Sequence, residues 1–249
     1  MTADTVDTQP AGTLRDKIVL AAADVLEKDG LDAMSTRAVA ARAGVFPPTI
    51  FRVFGDKDGL LEALSEYGFE TYLRAKSQLP RSDDPVADLR LAWDLHVEFG
   101  LTQPGYYGLV FGQSRSGRLS YAGRRAVAEL QLMVTRVAAA GRLRMSVERA
   151  TAVMHAAGVG VVSTLISAPP ESRDLETARV TREVVLAAIA AASPAAEPGS
   201  AVPGAGPAGP AMALRAALGA EGELPLSPGE KLLFMELLNR LADVRTAPR

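Results

Sequence analysis

Ser35-Thr36-Arg37-Ala38-Val39-Ala40-Ala41-Arg42-Ala43-Gly44-Val45, and after Phe46 and Pro47 the run Pro48-Thr49-Ile50-Phe51-Arg52-Val53-Phe54-Gly55-Asp56-Lys57-Asp58-Gly59-Leu60-Leu61, decides how this chain is read. Ser35 can cap a short helix over 36–43, which Gly44 ends. The Pro47-Pro48 pair stands where a further helix begins, since proline is tolerated in the first helical turn, and that helix covers 48–54. Two short helices joined at Ala43-Gly44-Val45 have the lengths and the glycine-containing turn of a helix-turn-helix. Such a unit works by laying its second helix in the major groove of DNA. Local charge agrees: from Ser35 to Lys57 the four basic residues Arg37, Arg42, Arg52 and Lys57 stand against one acid, Asp56, a net +3. Contact with phosphate requires a patch of that sign.

The same residues resemble the N-terminal DNA-binding domain of the TetR family of bacterial regulators, over about residues 13–66. The resemblance implies a homodimeric transcriptional regulator, a repressor, that binds a palindromic double-stranded DNA operator. It also implies release when a small, largely apolar effector enters the C-terminal helical domain. Carried over position by position, Arg37 matches a second-helix residue that reaches a base or the backbone, and Thr36 adds a hydroxyl near a phosphate. On the recognition helix, Arg52 is expected at a base edge or phosphate and Thr49 at a phosphate or thymine methyl, with Pro48 and Phe51 on the same contact segment. Lys57 matches a phosphate-binding lysine at the start of the fourth helix. Two positions depart from the pattern: Phe51 stands where a tyrosine is usual and Val53 where histidine is common, and each deletes a polar contact. Phe46, at a turn position usually held by a small polar residue, reads as a brace for the turn rather than a thymine-methyl contact.

Working outward, Leu14, Ile18, Ala21, Val25 and Leu26 form the stripe of an amphipathic helix over 13–28, stopped at Gly30. Asp56 can cap a fourth helix running to Gln78, ahead of Pro80. Further helices are expected over 85–100, 104–111, 120–140, 147–168 and 175–192. The one at 147–168 is apolar nearly all round, so it is either central or covered on one side by a second subunit. Its most apolar part, 152–168, falls short of the roughly 20 residues a membrane span needs. Residues 193–210 change character, with nine of 18 being Pro or Gly, and read as a linker. Beyond it, Ser227-Pro228-Gly229-Glu230 is a capping box that opens a tail helix carrying Leu233, Phe234, Leu237, Leu238 and Leu241. The fold class is therefore all-α. Its expected parts are a disordered leader (1–12), a three-helix DNA-binding domain (13–56), a helical ligand-binding and dimerisation domain (57–192), the linker (193–210) and a helical tail (211–249).

Composition bounds the chemistry. The 249 residues contain no Cys and two His, which removes disulfides, thiolate metal sites and cysteine nucleophiles and fits a reducing, cytoplasmic setting. The net charge of −2 points away from nucleic acid only until the local +3 is noticed. Residues 1–12 lack the basic and apolar regions of a secretory signal. An effector cavity needs apolar walls with a few polar anchors, and the candidates are Trp93, His96, Phe99, Tyr106, Tyr107, Phe111, Met133 and Arg136. His96 and His155 both lie on apolar helices, where a core role is the plainer reading. The run Gly204 to Gly209 satisfies GxGxxG but has no preceding strand, and Gly112 to Gly117 has the wrong spacing for a nucleophile elbow. No catalytic residue, metal ligand or cofactor is assigned. The alternative to a DNA-binding regulator is a helical adaptor or ligand-binding protein with weak or lost DNA binding, and an enzyme ranks below both.

Overall fold

The computed structural model of the chain describes residues 13–77, 82–112, 119–191, 207–220 and 225–243. The 1–12 leader, residues 193–206 of the Pro/Gly-rich stretch and residues 113–117 lie outside the described residues. In chain order the helices are α1 (Leu14–Asp29), α2 (Thr36–Ala43), α3 (Pro47–Phe54), α4 (Lys57–Ser77), α5 (Pro85–Thr102), α6 (Pro104–Phe111), α7 (Tyr121–Ala139), α8 (Val147–Ser167), α9 (Leu175–Ile189), α10 (Ala208–Ala220) and α11 (Pro228–Ala242). Among the described residues there is no strand, only an isolated antiparallel bridge between Leu143 and Ala190. The all-α class read from the sequence is the observed one. Helix α10 falls mostly in the expected helical tail but begins three residues earlier, inside the stretch read as linker; a proline in a first turn removes only donors that have no intrahelical partner anyway.

The chain divides into two compact units, one made of residues 1–73 with 103–123, the other of 74–102 with 124–249. Helix α6, which the sequence reading had grouped with the ligand domain, thus falls in the first unit. There, α1 opens on a capping box in which the Thr13 hydroxyl accepts from the Asp16 N–H and the Asp16 carboxylate accepts from Thr13. Its inner face, Ile18, Ala22, Val25 and Leu26, packs with Met34, Val39, Ala40, Ile50, Leu60 and Leu64 in one apolar core. Helix α6 is joined to the same unit through Tyr106, whose hydroxyl lies 3.3 Å from the Glu27 carboxylate and whose ring lies 6.5 Å from that of Tyr67.

Gly68 is what lets α4 and α6 approach so closely. A Cβ there would lie 2.0 Å from Tyr106 Cδ1 and 2.4 Å from Cγ, inside the ring. Gly68→Ala is therefore expected to cost about 1–3 kcal/mol, the usual range for overpacking, with part of the loss recovered in the double variant Gly68→Ala, Tyr106→Leu. Thermal unfolding checks this, and an unchanged midpoint for Gly68→Ala would count against the contact.

In the second unit α8 packs on α5 and α9 through Ala150, Met154, Gly158, Val161, Val162 and Leu165. Its other side, with Ala152, Val153, Ala156, Gly160 and Thr164, is exposed. Among the described residues the helix is thus buried on one side only. It extends to 21 residues and is by length and composition apolar enough to cross a membrane, although Glu148 and Arg149 occupy its first turn. Two ion pairs, each with one buried partner, hold the ends of other helices: Arg136 Nη1 lies 2.5 Å from Oδ2 of the buried Asp88, and the buried Arg142 lies 2.6 Å from Asp84. Helix α11 packs on α10, and its C-cap residue Asp243 accepts from both the N–H and the hydroxyl of Ser146, at 2.8 Å each, where α8 begins.

Candidate nucleic-acid interface

The turn between α2 and α3 is built from local chemistry. The Ser35 hydroxyl accepts from the Ala38 N–H at 3.1 Å and starts α2. Gly44 closes it in the left-handed conformation, φ +63°, which a residue with a Cβ adopts only at a cost. Helix α3 has no side-chain cap; Pro47 and Pro48 in its first turn instead remove two donors that would otherwise need partners. After α3, Gly55 turns the chain at φ +82°, and the Asp56 carboxylate accepts from the Gly59 N–H at 2.7 Å to start α4. At Gly59 a Cβ would lie 2.1 Å from the Phe54 carbonyl oxygen, so glycine sets the closeness of α3 and α4.

Ile50 anchors the inner side of α3 in the core, leaving Pro48, Phe51 and Arg52 exposed and Thr49 partly so. Arg37 on α2 is exposed as well, while Thr36 and Lys57 are half-buried. The candidate residues therefore come from the outer sides of α2 and α3 and the first residue of α4. The four cations are not equivalent. Arg42 bonds the carboxylates of both Asp24 and Asp29 on α1, so it clamps α2 to α1. No hydrogen bond or ion pair among the described residues engages Arg37, Arg52 or Lys57. The positive character read from sequence thus resides in three side chains rather than four. Arg15 lies 5.5 Å over the Phe54 ring and ties α1 to the end of α3.

Phe46 departs from its expected role. It is 83% exposed, so it braces nothing among the described residues.

The eight side chains expected around an effector are divided between the units. Tyr106, Tyr107 and Phe111 are buried in the first, where the Tyr107 and Phe111 rings lie 4.8 Å apart and Phe111 meets Phe69 edge-on. Burial pushes the Tyr106 and Tyr107 phenols well above their ordinary range, so both stay neutral. Trp93, His96, Phe99, Met133 and Arg136 belong to the second. Trp93 is buried, and its indole N–H has no acceptor among the described residues. His96 and Trp93 both approach α8 at Gly158. The Arg136 guanidinium is held by Asp88 and by the Ser82 carbonyl. A cavity of about 460 Å³ in this unit has other walls: Gln131, Thr135, Val147, Met212, Arg215 and Met235, from α7, α8, α10 and α11. Sequence reasoning missed it because the 211–249 tail was given no pocket-lining role. Among the described residues no cluster of acidic or histidine side chains could hold a metal ion.

Residues 18–64 match the family profile described as bacterial regulatory proteins, tetR family. No curated protein sequence matches the chain. Solved structures with the same fold include a protein of unknown function from Rhodococcus sp. RHA1, at 23% identity and TM-score 0.60, covering 75% of this chain and 100% of that one. A putative tetR family transcription regulator from Shewanella sp. PV-4 gives 18% identity and TM-score 0.57, covering 72% and 100%. A TetR-family transcriptional regulator from Streptomyces coelicolor gives 24% and 0.51, covering 70% and 96%.

Proposed function

We propose that this chain, which carries a tetR-type DNA-binding domain at residues 18–64 on an all-helical body, is a cytoplasmic transcriptional regulator. It binds a palindromic operator as a homodimer and is released by a small, largely apolar effector, acting as a repressor. The observation that carries this reading is the helix-turn-helix with Arg37 and Arg52 on its outer side and Lys57 at the start of α4, none of them in an ion pair among the described residues. The half-exposed α8, with nothing within 4 Å of a Cβ placed on Gly160, supports a second copy packed there. For the effector, the cavity of about 460 Å³ falls within the usual ligand range of about 300–1,000 Å³. Thioethers of Met212 and Met235 suit an apolar occupant of irregular shape.

Selection from a random duplex pool is expected to enrich a palindrome whose half-sites lie about one helical turn, or a multiple of it, apart. Gly160→Glu is expected to give monomers by light scattering and to lose the preference for two half-sites. Retention of no duplex even at low salt would sink the regulator reading and favour the adaptor. An intact dimer in the Gly160→Glu variant would move the interface away from α8.

A further inference from the structure

We propose that Phe46 reads a base through its methyl group, so that the chain recognises the 5-methyl of thymine, or equally of 5-methylcytosine, in each half-site. This rests on the DNA reading above. The N-terminal residues of a recognition helix are those that meet base edges, and Phe46 is the N-cap of α3. At 83% exposed it is barer than Phe51, at 49%, on the same helix. Its backbone is held rigidly, because a residue before proline is restricted to extended conformations and Pro47 is itself followed by a second ring. Phe46 has φ −78° and ψ 144°, as that restriction requires. A backbone already held extended has little conformational freedom left to lose on binding.

The chemistry of α3 points the same way. Its eight residues, PPTIFRVF, include just two side chains able to hydrogen-bond a base edge, Thr49 and Arg52. The bidentate pairings that distinguish adenine or cytosine need Asn, Gln, Asp or Glu, and none is present. What the outer side offers instead is apolar surface at Phe46, Pro48 and Phe51, flanked by the unengaged Arg37 and Arg52 that would position it on the backbone. In the major groove the apolar feature of a base pair is the thymine methyl.

The test uses the full-length protein and the duplex selected from a random pool, with each thymine replaced in turn by uracil, which deletes the methyl and leaves the hydrogen-bonding edge unchanged. One thymine per half-site is expected to lose about fourfold in affinity on this replacement, the worth of one buried methyl-sized group, and more than tenfold when both half-sites are changed. Cytosine at that position should bind worse than thymine, and 5-methylcytosine should restore part of the loss. Phe46→Ala should bind thymine and uracil duplexes equally while keeping the salt dependence of wild type, and its exposure means folding should be unaffected. Uracil tolerated at every position, or discrimination undiminished in Phe46→Ala, overturns the proposal. So does loss of the dimer in Phe46→Ala, which would assign the ring to a second copy of the chain. Failure to retain any duplex at low salt is a different result: it removes the DNA reading, and the methyl contact with it.

Discussion

Replacing Arg37, Arg52 and Lys57 together by Ala is expected to abolish specific DNA binding, lowering affinity about a thousandfold or more at 50–100 mM salt. Each phosphate neutralised contributes about 0.9 to the slope of log affinity against log salt, and three cations in each protomer of the proposed dimer give a slope of roughly −5. The triple variant should bring that slope close to zero, because the counterions released by wild type stay on the DNA. Folding should be unaffected, since none of the three side chains makes an ion pair among the described residues. Arg42→Ala is the informative contrast. Its bonds to Asp24 and Asp29 are partly exposed, so its loss should cost roughly 1 kcal/mol of stability and leave the salt slope nearly unchanged. Anisotropy titrations at several salt concentrations check both, and a triple variant with the wild-type slope would mean that other residues meet the phosphates.

Asp88→Ala is expected to be the most damaging substitution to stability, at about 3 kcal/mol. Asp88 is 2% exposed and accepts from the Ser82 hydroxyl at 2.7 Å, the Ser82 N–H and Arg136. Removing it leaves a half-buried guanidinium without its counter-charge, the situation in which a broken pair is costly. The same network predicts a pH dependence. Burial works most strongly against the charged form of Asp88, yet hydrogen bonds from Ser82 and Arg136 outweigh it and hold the carboxyl below the ordinary carboxylate range. Asp84, bonded by Arg142, is lowered in the same way. A carboxylate whose folded pKa lies below its unfolded value of about 3.9 stabilises fully above that value. The contribution is lost as pH falls through the folded values. Stability should therefore hold from pH 7 to about 5 and decline below about 4, and Asp88→Ala should show a shallower decline. Urea titrations across this range measure it; a variant as stable as wild type at pH 7 would mean that the pair contributes nothing net.

Most of the helices were legible because their causes are local. Ser35 and Gly44 bound α2, the Ser227-Glu230 box starts α11, and the apolar stripes of α1, α5 and α7 repeat within a few residues of themselves. Only the start of helix α10 was illegible, because its first turn is made of residues that elsewhere mark loops, and nothing local showed that the helix lines a cavity.

By itself, then, the sequence determined an all-helical chain with a helix-turn-helix near its start, since capping and periodicity act over three to seven residues. Tertiary structure alone decided the uses of particular side chains. Arg42 is indistinguishable from Arg37 in sequence until α1 brings Asp24 and Asp29 against it. Arg136 reads as a ligand anchor until Asp88, 48 residues away, meets it. Tyr106 reads as a pocket wall until Gly68 admits its ring, and Phe46 as a brace until the fold leaves it bare. In each case charge compensation or burial is set by a partner far along the chain, and no local pattern encodes which partner arrives.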